Sequence, residues 1–436
     1  MGPRLKKSKK DLRPFRALKG MHDVLPEDQP YWERIESVVR GIARSYNFSR
    51  LEPPVLETAE LFWKTTGEDT DVVQKEMYTL RTKGGDLLAL RPEYTPGIAR
   101  AYLEHSLGRA GQPQKLFHFG PVFRHDRPQM GRFRQFTQFG FEVIGGQNDP
   151  LYDAHVISIF TAILSELKVK NTVLKMNSIG CRVCRPIYKR QLQAYYKNHE
   201  KDLCADCIRR LGTNPLRLFD CKEEECLKLK AKAPNFLDKI CATCSAHFRE
   251  VLEYLDELQI SYVLDNHLVR GLDYYSRTVF EIYVEGSGSE FGALPAGGRY
   301  DYLAEAIGGH LTPAVGGACG VERLIAVMKA QEAKLPQRNL KRVFLAHVGE
   351  LTKHKAVKLL RDLQAQGISV SESLAKDSLK AQLKVAGKEG ITLALILGQK
   401  EVYEKSVIVR DMQTGLQETV SLDKILDEIK KRQKET

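Results

Sequence analysis

No stretch of this chain approaches the ~18 consecutive apolar residues that a bilayer-spanning helix needs, so nothing in it reads as a membrane anchor. The basic opening, MGPRLKKSKKDLRPFR, is followed by neither an apolar core nor a small-residue cleavage site. It does not read as a secretory signal, and the expected location is the cytoplasm. No internal repeat is found, which excludes an architecture stacked from units of fixed period. A dinucleotide fingerprint is also missing, because EGSGSEFG at 285–292 has the wrong glycine spacing and the wrong segment after it. Positive charge is scarcer than the net +12 suggests: residues 1–19 hold eight Lys or Arg against one Asp, which leaves +5 for the rest of the chain. Overall basicity is therefore weak evidence for a nucleic-acid partner. Residues 1–16 read as a disordered tail, either an RNA-clinging arm or, more commonly for such runs, a solubilising extension.

What is present is an ordinary globular composition, and 436 residues correspond to about three domains. Tyr31, Ile35, Val38, Val39 and Ile42 share a face and predict a helix over 27–45. A Pro-interrupted strand is expected at 49–57, suited to a sheet edge or an interface. A hairpin turning at Gly84 and Gly85 leads to a helix from about Thr95, followed by a helix at 151–168 and a strand at 172–178. Strand character resumes over 262–285, and glycine-rich segments lead into a strand and helix around GVERL (320–324). Beyond a polar linker, strands and helices alternate as in a separate α/β domain. The fold class is α+β. The expected divisions are a tail at 1–16, a mainly antiparallel domain in two parts (17–180 and 259–330), a helical cysteine-rich insertion (181–258), a linker (331–341) and a small α/β domain (342–436).

Residues 123–136, FRHDRPQMGRFRQF, pack four arginines and three phenylalanines into fourteen positions. The arginines share no helical face, Pro128 removes a backbone donor and Gly131 invites a turn, so the segment reads as strand, loop, strand. Arginines held at the mouth of a rigid hairpin suit a planar anion such as phosphate, which a guanidinium grips with two parallel bonds. The alternative is an ordinary charged hairpin.

Eight of nine cysteines lie between 181 and 244, as Cys181-x2-Cys184, Cys204-x2-Cys207, Cys221-x4-Cys226 and Cys241-x2-Cys244. In a cytosolic chain such pairs read as ligands of structural zinc, two sites of four thiolates each, with sequential or interleaved pairing both open. Inert buried thiols are the alternative. Cys319 is expected in the core.

Four stretches carry a family resemblance: FRHDRPQMGRFRQFTQFGFEVIG, GVERL, LVRGLDYYSRTVFEI (268–282) and AGGRYD (296–301). The first two resemble the second and third motifs of class II aminoacyl-tRNA synthetases, and the last two resemble peptides peculiar to the bacterial-type histidyl-tRNA synthetases. The resemblance runs from about residue 17 to the C-terminus. It implies an antiparallel class II catalytic domain and a C-terminal anticodon-binding domain. The implied activity joins histidine to ATP, with Mg2+, as histidyl-adenylate plus pyrophosphate, and then transfers histidine to the 3′ end of tRNA(His). It also implies a homodimer with the strand near Pro53 and Pro54 at its interface.

Residue by residue, the resemblance implies that Arg124 grips the α-phosphate, that Arg323 holds the γ-phosphate, and that Arg270 stabilises charge in the transition state beside the histidine carboxylate. Without the family, Arg270 reads as an ion pair with Asp273. Glu142 and Tyr275 match the imidazole-binding positions, with Tyr300 closing the pocket and Tyr274 beside it; Glu93, Thr95 and Gln138 match those around the amino and carboxylate groups. The plain reading of each tyrosine is sheet packing with its hydroxyl at the surface. The 126–131 loop would meet the tRNA acceptor end, whose extra 5′ guanosine is a family feature, through Arg127 and Gln129. Asp126, an ATP-binding position, departs from the family's Glu and loses one methylene of reach. Any zinc would be structural, rigidifying a domain that clamps the acceptor stem. The competing readings are a catalytically inactive, histidine-binding regulatory subunit of histidine biosynthesis, and a nonspecific RNA-binding protein. The first is opposed by the retained Arg124, Arg270, Arg323, Glu142 and Tyr275 and by the C-terminal domain, the second by the glycine-rich pocket motifs.

Overall fold

The ten residues QFTQFGFEVI send Phe139, Phe141 and Val143 to one face of a strand and Gln138, Gly140 and Glu142 to the other, as a period of two requires. That division runs through the larger of two units into which the chain separates, Met1–Leu335 and Pro336–Thr436. The computed structural model describes residues 15–68, 70–127, 131–285, 291–335 and 342–435. Most of the 1–16 tail, Gln129, and most of the 331–341 linker lie outside the described residues.

In the first unit the strands are β1 (Ser49–Arg50), β2 (Leu56–Thr58), β3 (Thr79–Arg81), β4 (Leu87–Leu90), β5 (Gln114–Phe123), β6 (Gln135–Ile144), β7 (Thr172–Ser178), β8 (Tyr262–Leu264), β9 (Ser276–Val284), β10 (Pro295–Arg299) and β11 (Ala314–Gly320). Among the described residues, eight form one sheet in the order β1-β5-β6-β11-β10-β9-β7-β8, antiparallel except for β1 beside β5 and β7 beside β8 at its two ends. Strands β2, β4 and β3 make a small antiparallel sheet, with the expected turn at Gly84 and Gly85.

One face of the large sheet is core. Phe139, Phe141 and Phe280 meet Phe160 beneath the helices Gln29–Ser45, Leu151–Glu166 and Val321–Ala330, and each fully buried ring contributes on the order of 2–3 kcal/mol. The other face is nearly bare: one row across β6, β11 and β10 reads Gly140, Ala318, Ala296, and in the next row Gly316 and Gly298 lie side by side opposite Glu142. Bulk was removed from this side, and the site lies here.

Two expectations change in detail. The Pro53–Pro54 pair splits the predicted 49–57 strand into β1 and β2, because proline cannot donate to a ladder. The predicted run of strand over 262–285 is broken at 265–275, where Asp265 turns the chain: its carboxylate accepts from His267 N (3.1 Å) and its carbonyl from Leu268 N (2.9 Å). The interruption carries Arg270, Tyr274 and Tyr275. The cysteine-bearing segment folds as the helices Cys184–Lys197, Ala205–Thr213 and Glu224–Lys230 around Tyr188, Leu192, Tyr196, Leu211 and Phe219. Cys319 is buried in β11, as expected.

The second unit holds β12 (Val343–His347), β13 (Val370–Glu372), β14 (Leu393–Leu397), β15 (Ser406–Asp411) and β16 (Gln417–Ser421), in the order β13-β12-β14-β15-β16. The first three are parallel, and VFLAH and LALIL are fully buried runs, as strands covered by helices on both faces must be. Among the described residues no helix is long and apolar enough to cross a membrane.

The close approach of β10 to β11 can be tested against an unconstrained glycine. A Cβ on Gly297 would lie 2.2 Å from Gly316 O, whereas one on Gly41, on the exposed side of the helix Gln29–Ser45, meets nothing within 4 Å. Gly297→Ala is expected to lower the thermal midpoint sharply or to prevent soluble expression. Gly41→Ala should stabilise by ~0.5–1 kcal/mol, since a mid-helix glycine costs about that much relative to alanine.

Candidate active site

Glu142 projects from β6 over Gly316 and is fully buried. Thr95 Oγ1, at the start of the helix Thr95–Glu104, donates to one carboxylate oxygen (2.8 Å) and the Tyr300 hydroxyl donates to the other. Burial pushes this carboxyl from its ordinary value near 4.5 up to about 8, more than the two hydroxyls restore, and Glu93 adds repulsion. Glu93 is a second buried carboxyl, held by the Tyr274 hydroxyl and by Thr66 Oγ1 (3.0 Å), and burial raises it too. The tyrosine hydroxyls of 274 and 300 therefore point inward onto carboxylates, which corrects their reading as ordinary sheet tyrosines. Tyr274 packs between Tyr275 and Tyr300, with ring centroids 4.6 and 5.8 Å away. Gln138 shares the face of Glu142 on β6, half-buried. The result is a small polar pocket whose floor is glycine and whose walls are tyrosine.

Beside it is a region of positive charge. Arg124 follows β5 and donates from Nε to Pro92 O (2.9 Å), leaving its guanidinium beside the Phe136 ring. Arg323 lies in the first turn of the helix Val321–Ala330, where burial and the neighbouring Arg132 and Arg124 push its pKa down. Arg270 sits 5.4 Å from the Tyr275 ring centroid. Its partner is Glu281 of β9 and not Asp273, which instead accepts from Asn214 Nδ2 (2.8 Å). Glu281 also accepts from the Tyr283 hydroxyl. Nε of Arg270 and Nε of Arg323 are both buried with no acceptor among the described residues. Such orphaned guanidinium donors, with Arg323 also crowded by Arg124 and Arg132, suit an incoming anion.

Asp126 works inside its own loop, accepting from Arg127 N (2.6 Å) and pairing with Arg132 (3.2 Å). Arg127 is exposed. Two supports were not foreseen. Glu281 is a lone carboxylate in the otherwise apolar, buried run TVFEI, and that placement was the available signal. Glu322, next to Arg323, accepts from Thr137 N (2.8 and 3.0 Å) and so ties the helix to β6; burial raises it to about 7.

The cysteines form two quartets by nested pairing. Cys181, Cys184, Cys241 and Cys244 make one, Cys204, Cys207, Cys221 and Cys226 the other, and in each the four Sγ atoms lie within 4.8 Å of one another. Neighbouring sulfurs are 3.8–3.9 Å apart, far beyond a disulfide and close to the ~3.8 Å edge of a tetrahedron with ~2.3 Å metal–sulfur bonds. Backbone N–H groups of Cys181, Val183 and Cys204 point at Sγ atoms (3.3–3.4 Å), as suits thiolates. Either quartet could hold one thiophilic ion.

A sequence model described as histidyl-tRNA synthetase matches residues 20–324, and one described as an anticodon binding domain matches 342–432. The chain belongs to the histidyl-tRNA synthetase family. It is 45% identical over 420 residues to a protein named histidine–tRNA ligase from Dehalococcoides mccartyi, covering 96% of this chain and 100% of that one. It also resembles the structure of apo histidyl-tRNA synthetase from Staphylococcus aureus, with a TM-score of 0.80 and 32% identity over 95% of this chain and 100% of that one. A Bacillus halodurans structure described as an ATP phosphoribosyltransferase regulatory subunit/histidyl-tRNA synthetase shares the fold, with a TM-score of 0.61 and 22% identity over 90% of this chain and 98% of that one.

The raised carboxyl gives a signed expectation. Glu142 binds its proton more tightly folded than unfolded, so stability is lost as pH rises from the ordinary carboxylate value toward about 8. Glu142→Gln removes that dependence. Its thermal midpoint should exceed the parent's by a margin that widens from pH 5 to pH 8 and then levels off.

Proposed function

We propose that this protein is a histidine–tRNA ligase, and that the pocket of Glu142, Tyr300, Thr95, Glu93 and Tyr274 receives histidine while the arginines receive ATP. The observation that carries the reading is the adjacency of two unlike compartments. A fully buried carboxyl with no cation on it adjoins guanidinium groups with unfilled donors.

The chemistry follows from that adjacency. Imidazole offers a ring N–H that a buried carboxylate accepts and a second nitrogen that a tyrosine hydroxyl can meet, with Tyr275 and Tyr300 both in reach of that role. An apolar isostere would take the pocket's hydroxyls and carboxyl out of water while returning no hydrogen bond, and be rejected. Glu93, Thr95 and Gln138 are the groups for the α-amino and carboxylate ends. A histidine carboxylate oxygen attacks the α-phosphorus of ATP, the bond to the β-phosphate breaks, and pyrophosphate leaves. Arg124 and Arg270 stabilise the charge on the α-phosphate oxygens, and Arg323 holds the γ-phosphate. Mg2+ accompanies ATP and screens its phosphates. In the second step a ribose hydroxyl at the 3′ end of tRNA(His) attacks the acyl carbon and AMP departs. Arg127 and Gln129 are the candidates for the acceptor end, and the second unit for the anticodon. Asp126 closes its loop onto Arg132, which supports a role in shaping the ATP side despite its short side chain.

We also assign zinc to both cysteine quartets, a cytoplasmic location, and a homodimer formed along the edge near Pro53 and Pro54, where Val55 and Leu56 are exposed.

Histidine-dependent exchange of labelled pyrophosphate into ATP tests the activity. Arg270→Ala should lower it by ~100-fold or more, the scale expected when a preorganised charge is removed from a transition state. Absence of exchange in folded, histidine-binding protein would favour a regulatory subunit. For the quartets, metal released by thiol modification and read with a chromophoric chelator should amount to two equivalents per chain, falling to one in Cys207→Ser.

A further inference from the structure

The histidine loop, 269–275, carries Arg270, Tyr274 and Tyr275, and much of what holds it comes from the cysteine-bearing insertion. Arg217 Nη1 donates to Gly271 O (3.0 Å) and Asn214 Nδ2 to Asp273 Oδ1 (2.8 Å). Arg185 donates to Tyr275 O, and also to Ile179 O (3.1 Å) and Gly180 O (3.3 Å) at the base of the insertion. Arg217 reaches further, from Nη2 to Asp71 Oδ2 (3.2 Å), which Arg210 also contacts (3.2 Å). Asp71 adjoins the helical turn Val72–Glu76, whose last residue accepts from His125 N (2.6 Å) in the arginine-rich hairpin. Arg217 and Asn214 are each 8% exposed, so these bonds are made largely out of water. From the catalytic core, Thr66 O accepts from Asp273 N (3.1 Å).

We propose that Arg217, Asn214 and Arg185 are positioning residues for amino-acid activation, and that the insertion is part of the adenylate-forming site and not only a handle for RNA. This rests on the ligase reading above. Its physical basis is the cost of order. Fixing each loop residue costs about 1–2 kcal/mol of backbone entropy, and a loop irregular enough to aim a guanidinium at one side and two tyrosines at the other makes few bonds of its own. The insertion supplies acceptor-matched donors at three points along seven residues. Loss of a clamp lets Arg270 drift, and a displacement of ~1 Å in a catalytic group can cost ~100-fold.

The discriminating condition is the absence of tRNA. In tRNA-free pyrophosphate exchange, Arg217→Ala is expected to lower kcat/KM for histidine by ~10-fold or more, through a lower kcat as Arg270 drifts and a higher KM for histidine as the tyrosines do, with KM for ATP changed less than ~2-fold. Arg217→Lys, which keeps a cation for Asp71 and one donor for Gly271 O, should recover part of the loss. Hydrogen exchange of the amides in 269–275 should quicken in Arg217→Ala at an unchanged unfolding midpoint. If that variant fails to fold, Asn214→Ala, which removes one hydrogen bond, carries the same test. Variants that exchange pyrophosphate like the parent, with unchanged loop protection, and lose only tRNA charging would overturn the proposal. A parent protein without histidine-dependent exchange would instead overturn the ligase reading.

Discussion

The site depends on a seam of missing side chains. Where β6, β11 and β10 run side by side, an added Cβ on Gly316 would fall 1.5 Å from Glu142 Oε2, and one on Gly298 would fall 2.4 Å from Thr278 O. Only glycine lets a carboxylate lie flat over a sheet at that distance. The same strands turn Phe139, Phe141 and Phe280 to the opposite face, so the sheet is an anchored floor on one side and an open one on the other. The close approach also fixes what else must be present: with no room for a cation beneath it, Glu142 is satisfied from above by Thr95 and Tyr300, and those two residues define the pocket walls.

Two electrostatic regimes therefore sit side by side. In the glycine-floored pocket, burial raises the pKa of both Glu142 and Glu93, and their partners are hydroxyls in place of cations. In the arginine-rich region, Arg132 and Arg124 repel Arg323 and, with burial, push its pKa down, a strain that an entering anion would relieve. Glu281 belongs to the boundary. It holds Arg270 in place while leaving Nε unpaired, so the guanidinium is fixed in position with a donor still to offer.

The strands and the long helices were legible because their periods are strong: the predicted 27–45 helix is Gln29–Ser45, and the arginine-rich segment does lead from one antiparallel strand to the next. The family resemblance pointed to residues that the fold brings together, including Glu93, outside the four motifs, and Tyr274, which are 181 positions apart. What stayed hidden is what arises from tertiary contact. Spacing left the cysteine pairing open, since two CxxC pairs fit a metal cage whether or not they are adjacent in the chain. Asp273 lies three residues from Arg270 and looked like its partner, yet the loop turns it toward Asn214 and the long-range neighbour Glu281 takes the guanidinium. Propensity describes which residues are near in sequence, and a buried charge is satisfied by whichever partner the sheet delivers.

The nested pairing has a mechanical meaning that sequential pairing would lack. The insertion leaves the core at Gly180, whose added Cβ would lie 2.6 Å from Cys184 Sγ, and returns along the helix Ala242–Glu257, which begins at Cys244's quartet. The outer quartet thus closes the neck, joining the exit and the return into one base. That base is tied to the sheet by His247 of the returning helix, which meets Asp153 (3.4 Å), while Asp153 accepts from Arg299, the residue before Tyr300. Burial would raise Asp153, but Arg299 and His247 outweigh it and hold the carboxylate well below the usual range. The inner quartet braces the far arm, between whose cysteines lie Asn214 and Arg217. Had the first two pairs gathered into one cage and the last two into another, the neck would stay open and the arm could swing relative to the loop it grips. A closed neck shortens the effective loop that ordering must restrain, and the entropic cost of holding distant donors falls with it. That is how an irregular insertion can deliver hydrogen bonds to the residues on either side of Arg270 at fixed positions.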